Sequence, residues 1–200
     1  KKRVGFFSQF KYWGESPKAY KALLVGLLLF ALFNSADAFL ILKMKASGAD
    51  DTTVIAIYIF YNLIYALSAL PLGILSDRIG MKTMFIIGLL IFGGVYVGMC
   101  YSHSVTAYLV LFLLYGLYYS CTEGVSKAWI SKLCDKKDTA TALGVYSGLQ
   151  RICTFIASSL AGFIWIQFGA IYAFFISGSI AILVAVYLMM SKTLRIPKQV

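Results

Sequence analysis

The sequence predicts an all-α, polytopic membrane protein with six transmembrane helices, and three observations carry that expectation. Hydrophobic residues make up 60% of the chain, charged residues only 13%, and mean hydropathy is +0.83, whereas a soluble domain carries about 25% charged residues. The apolar residues are gathered into runs long enough to cross a bilayer, which takes about 20 helical residues for ~30 Å of hydrocarbon. Polar residues cluster between those runs, and 200 residues divided in this way hold about six spans plus tails. Continuous apolar runs, without alternation, exclude a β-barrel.

Taken in order, residues 1–20 read as a basic, amphipathic connecting segment. Lys1, Lys2, Arg3, Lys11 and Lys18 accompany Phe6, Phe7, Phe10, Tyr12 and Trp13, a combination suited to the bilayer interface. No signal-peptide core is present, and Lys1 stands where a start methionine would be, so the chain reads as a fragment or internal segment. A helical bundle follows over 21–191, with spans expected at 21–42, 53–75, 83–101, 105–133, 139–168 and 170–191. The turns are Gly48-Ala49-Asp50-Asp51, Gly73 to Lys82, Ser102-His103-Ser104, Cys134 to Asp138 and Gln167-Phe168-Gly169. Residues 192–200 form a basic tail.

Charge sets the expected orientation. With the N-terminal segment in the cytoplasm, Arg78, Lys82, Lys132, Lys136, Lys137, Lys192, Arg195 and Lys198 all fall on that side, as the positive-inside rule requires. The opposite side receives Lys43 and Lys45 with Asp50 and Asp51, and His103. Both termini are therefore expected in the cytoplasm. The net charge of +10 is explained by this topology and by contact with anionic lipid, so nucleic acid is not an expected partner.

The sharpest motif lies between the second and third spans, in Gly73-Ile74-Leu75-Ser76-Asp77-Arg78-Ile79-Gly80-Met81-Lys82. An acid after a helix is poorly placed for that helix's own dipole, so Asp77 is expected to be held by Arg78 or by a neighbouring helix N-terminus. Gly73 and Gly80 are expected to allow close backbone approach and an unusual φ. The pattern G-x-L-x-D-R-x-G-x-K resembles the signature loop of the major facilitator superfamily of secondary transporters, although Met81 replaces a second basic residue usual there. The resemblance extends over about 21–192 and implies one half of a twelve-helix fold.

Several details resemble the C-terminal half of that fold. The basic leading segment looks like the long connection between halves. Phe112 stands where many N-terminal halves carry an arginine one turn before the glycine that is here Gly116. Ser158-Ser159-Leu160-Ala161-Gly162 lacks the Gly-Pro pair of the antiporter signature. The resemblance further implies a conformational latch at Gly73, Asp77, Arg78, Gly80 and Lys82, and an N-terminal six-helix half as partner.

Ionisable residues inside the spans are the candidates for function, because one near the bilayer centre costs about 2.5 kcal/mol or more unless it meets a partner or a water-filled cavity. Asp37 lies in the first span with Asn34 three residues before it. Glu123 and Lys127 lie at i,i+4 in the fourth, and Arg151 follows Gln150 in the fifth. At ~1.5 Å per residue, Glu123 and Arg151 fall near the midplane, while Asp37 is expected nearer the outer surface, lining a vestibule. Lys127 either snorkels to the interface or pairs with Glu123. Tyr58, Tyr61, Tyr65, Tyr115, Tyr118 and Tyr119, with Asn62, either line a substrate cavity or pack between helices. Gly88, Gly93, Gly94, Gly98 and Gly178, and Ala157 with Ala161, suit close helix contacts, movable or static.

Other chemistries lack their residues. Cys100, Cys121, Cys134 and Cys153 have no metal-ligand spacing, His103 stands alone in a turn, and no nucleophile–base pair or phosphate-cradling loop accompanies Glu123. No metal, cofactor or catalytic residue is expected, and the protein is not expected to be an enzyme. The expected function is secondary transport of a small solute by alternating access. Proton coupling through Glu123 or Asp37 is the most economical energy source, in an inner (plasma) membrane of bacterial type. The alternative is a receptor or sensor on the same scaffold that binds solute without moving it.

Overall fold

In a computed structural model, which describes residue 14 and residues 16–191, seven helices and no strand occupy the described residues. The aromatic set Phe6 to Trp13 and the tail 192–200 lie outside the described residues. The helices are α1 (Lys18–Ala31), α2 (Ala38–Ala46), α3 (Asp51–Ile79), α4 (Met81–Tyr101), α5 (Val105–Leu133), α6 (Thr139–Phe168) and α7 (Ala170–Met190). From α3 to α7 each is long and apolar enough to cross a membrane.

The first span departs from expectation. A single helix over 21–42 is replaced by α1 and α2, separated by the non-helical stretch 32–37. Asn34, Ser35 and Asp37 are the cause that the sequence offers. Short polar side chains compete with the backbone for hydrogen bonds and favour breaks and caps over helix interiors. Ser158 on α6 holds the break open, its hydroxyl accepting from the Ala36 amide at 3.2 Å.

Turn chemistry explains most of the other ends. Asp50 caps α3 by accepting from the Thr53 amide at 3.1 Å and the Thr53 hydroxyl at 2.6 Å. These bonds hold its carboxyl below the ordinary carboxylate value. Ser104 caps α5 by accepting from the Ala107 amide at 3.3 Å. The turn between α3 and α4 shrinks to Gly80 alone, with φ +96°, a conformation that L side chains rarely adopt. The signature segment is therefore mostly helical, and Gly73 sits inside α3 with ordinary helical φ. The unusual φ expected there is corrected, because α3 continues four residues beyond the predicted end at 75.

Short turns force antiparallel neighbours. The end that carries the α3–α4 and α5–α6 turns is tied by Lys132 to Asp77 at 2.9 Å, and by Lys82, whose ammonium donates to the carbonyls of Ser191 at 2.8 Å and Met189 at 3.2 Å. At the other end, Ser47 and Tyr108 share a 2.7 Å hydrogen bond between their hydroxyls.

Helix α5 packs against both α3 and α4, and α7 packs against α4 and α6. Between α3 and α5 the approach is close at Gly116, where an added Cβ would lie 2.8 Å from the Tyr61 carbonyl oxygen. Ser68 and Ser120 bridge the same pair at 2.7 Å, and Ser120 also donates to the Tyr65 carbonyl at 3.1 Å. Small residues and hydroxyl bonds hold membrane helices together where no hydrophobic force acts between them. The core is aromatic, with Phe92 stacked on Tyr96 at 3.9 Å and edge-on to Phe30 at 5.1 Å. Helices α3 and α6 are the least enclosed, each turning most of its apolar surface outward.

Candidate functional site

The break between α1 and α2 opens onto a cavity of about 340 Å³ bounded by α1, α3, α5 and α6, within the size range of a small-ligand site. Its wall brings together Asn34, Asp37, Tyr61, Asn62, Glu123 and Arg151, residues that the sequence places on four separate helical segments. Lys127 is outside the wall and touches it through Glu123, at 2.5 Å from Oε1.

Asp37 is held by three tyrosines. Tyr61 donates to Oδ2 at 2.7 Å, while Tyr115 and Tyr119 donate to Oδ1 at 2.8 and 3.0 Å. Tyr115 and Tyr119 are one turn apart on α5 and so share a face. Tyr61 reaches them from α3 because the glycine at 116 lets the two helices close. Asp37 also begins α2, where the helix dipole favours a negative charge. Asp37 is nine residues from the far end of α2, on the order of 14 Å along the axis, and its partners Tyr115 and Tyr119 lie near the middle of α5.

Asn34 completes this end of the cavity. Its Nδ2 donates to the Tyr118 hydroxyl at 3.0 Å, and its buried Oδ1 receives no hydrogen bond. The ring faces form a continuous box, with Tyr61 5.5 Å from Tyr115 and 6.1 Å from Tyr119, and Tyr65 5.8 Å from Tyr119. Asn62 turns its amide back to its own helix, donating to the Tyr58 carbonyl at 2.8 Å.

The second end lies further along α5 and α6. Glu123 is one turn beyond Tyr119, and Arg151 is seven residues before Ser158, on the order of 10 Å along its helix. Glu123 takes its cation from Lys127 on the same helix, and Arg151 forms no ion pair among the described residues. Tyr146 on α6 donates to Ser126 at 3.4 Å and closes this part of the wall.

The signature residues lie apart from the cavity, at the membrane end. Asp77 pairs with Lys132 on α5 at 2.9 Å, with both side chains about half exposed or more. This corrects the expected partners, Arg78 and a helix N-terminus. Arg78 is exposed on the last turn of its own helix, and the charge in reach of Asp77 is the one that α5 brings alongside. Lys82 cancels the negative end of the α7 dipole through the two terminal carbonyls named above. Sequence reasoning missed the three-tyrosine clasp and the helix break. The polar run Asn34-Ser35-Ala36-Asp37 inside an apolar span is the signal for both.

Comparison with known proteins identifies the family. The model of the Major Facilitator Superfamily matches residues 22–199. An uncharacterized MFS-type transporter of Methanocaldococcus jannaschii is 36% identical over 155 residues, which cover 74% of this chain and 39% of that protein. A methyl viologen resistance protein of Salmonella typhimurium is 28% identical over 103 residues, covering 51% of this chain and 21% of its own length. The chain thus spans about two fifths of the first relative and one fifth of the second. With a family match across almost its whole length, an all-helical fold and membrane-spanning helices, the chain belongs to the Major Facilitator Superfamily.

Proposed function

We propose that this chain forms the C-terminal six-helix half of a secondary transporter that moves a small organic solute by alternating access. The observation that carries the reading is the cavity at the broken first span, where Asp37 is held by tyrosines from two other helices. Interrupted helices that line a cavity are where transporters place substrate and coupling-ion sites. A carboxylate within a span, without a lysine or arginine partner among the described residues, is expensive unless function requires it. The names of the two relatives, a transporter and a resistance protein, point the same way.

In this reading an N-terminal six-helix half closes the cavity from the other side. The two halves rock about the fixed site, and both termini face the cytoplasm of a plasma membrane. Asp77, Lys132 and Lys82 act as the latch, since they join four helices at one end through exposed contacts that can break and re-form at small energetic cost. Coupling is to the proton. Asp37 is the first candidate to carry it and Glu123 the second, because Lys127 already neutralises Glu123 in this conformation.

The deciding experiment reconstitutes the full-length protein in liposomes and imposes a pH gradient. Solute accumulation that follows the gradient and is lost in Asp37→Asn supports the reading. Saturable solute binding with neither accumulation nor exchange would instead identify a receptor on a transporter scaffold.

A further inference from the structure

We propose that the Asp37 end of the cavity binds the ammonium group of a small organic amine, with the amine's apolar body against the tyrosine rings. The proposal rests on the transport reading for its biological meaning, but its chemistry follows from the donors and acceptors on the cavity wall.

Each tyrosine hydroxyl has one proton to give. Tyr61, Tyr115 and Tyr119 give theirs to Asp37, so their remaining capacity is as acceptors. The Asn34 amide gives a proton to Tyr118, and its oxygen stays buried without a donor. Asp37 forms no ion pair among the described residues. This end of the cavity therefore offers two acceptors, the Asp37 carboxyl with no lysine or arginine paired to it among the described residues and the Asn34 oxygen with no donor, and an alkylammonium brings positive charge and N–H donors in one group.

The opposite end does not supply the missing charge. Glu123 and Lys127 cancel each other, and Arg151 lies on the order of 10 Å along α6 from the Ser158 contact with the break. Among the described residues, Asp37 is the cavity-wall acid with no paired cation. A bare metal cation would share the charge argument but would leave most of the 340 Å³ and the ring faces without a role. Tilted and edge-on tyrosines offer electron-rich faces to a cation and apolar contact to the body that carries it.

The test uses the purified full-length protein and three probes of matched size: benzylammonium, benzyl alcohol and phenylacetate, with sodium chloride alone as the fourth arm. Benzylammonium is expected to raise the apparent melting temperature saturably, while the neutral and anionic probes leave it unchanged. Asp37→Asn keeps the shape of the site and is expected to weaken benzylammonium by about tenfold or more, and Asn34→Leu by severalfold. If Asp37→Asn does not fold, the charge ranking of the probes on the unmodified protein still decides. Equal shifts by all three organic probes, a full shift with sodium alone, or undiminished binding in folded Asp37→Asn would overturn the proposal. Benzylammonium binding without flux in liposomes would leave the amine site standing and remove transport. Flux of another solute without benzylammonium binding would do the reverse.

Discussion

Asp37 and Glu123 are the two carboxylates on the cavity wall, and their surroundings separate them. Glu123 has its counter-ion one turn away, whereas Asp37 has three hydroxyls and, among the described residues, no lysine or arginine. In reconstituted vesicles, Asp37→Asn is expected to lower pH-driven accumulation at least about tenfold, because the group proposed to load and release the proton is gone. Glu123→Gln is expected to retain most of it. A reversed ranking would move the coupling role to Glu123 and leave Asp37 a structural hub. Gly116 tests the same site from behind. Gly116→Val places a side chain where even a Cβ would lie 2.8 Å from the Tyr61 carbonyl, so α3 must move off α5. That overpacking is expected to cost about 1–3 kcal/mol and to detach Tyr61 from Asp37, measurable as a lowered melting temperature together with lost substrate binding.

Among the elements, the α3–α5 and α4–α7 ties at one membrane end carry the conformational argument. The Asp77–Lys132 pair is exposed and contributes at most about 1 kcal/mol to stability. Asp77→Asn is therefore expected to leave expression and melting temperature almost unchanged while slowing exchange between states. Swapping the charges, Asp77→Lys with Lys132→Asp, should recover part of the rate; wild-type transport in Asp77→Asn would remove the latch role. The cap of α3 has its own pH signature. The folded state holds the Asp50 carboxyl below its ordinary value through Thr53. Its contribution is thus complete above the unfolded value and is lost as pH falls through the lowered folded one. Melting curves of Asp50→Asn, an amide that still caps, should show a shallower loss of stability than wild type across that acid window.

For the whole molecule, the six passages are counted by treating α1 and α2 as one interrupted crossing. Cysteines introduced at Ala49, His103 and Gly169, in a background freed of the native cysteines, are expected to react with an impermeant reagent from outside. One at Lys136 should not react until the membrane is opened. The reverse pattern would invert the positive-inside assignment and place the latch on the outer face. The outward-facing apolar surfaces of α3 and α6 are available to lipid and, in the proposed reading, to a second half.

Hydrophobicity and turn residues determined the class of this protein without any tertiary information. Span formation depends on local quantities, run length and hydrogen-bond closure within a helix, so the last five helices are legible to within a few residues. The signature between α3 and α4 named the family for the same reason, because its spacing lies within one short segment. Asp37, Asn34 and Glu123 could be singled out as costly groups in an apolar setting, but not ranked. Ranking needed the partners, and these come from elsewhere in the chain: Tyr61, Tyr115 and Tyr119 for Asp37, Lys132 for Asp77, Ser158 for the break. Whether a polar run in a span breaks the helix depends on whether another helix satisfies the freed backbone groups. Only packing of α6 and α5 against the first span decided that.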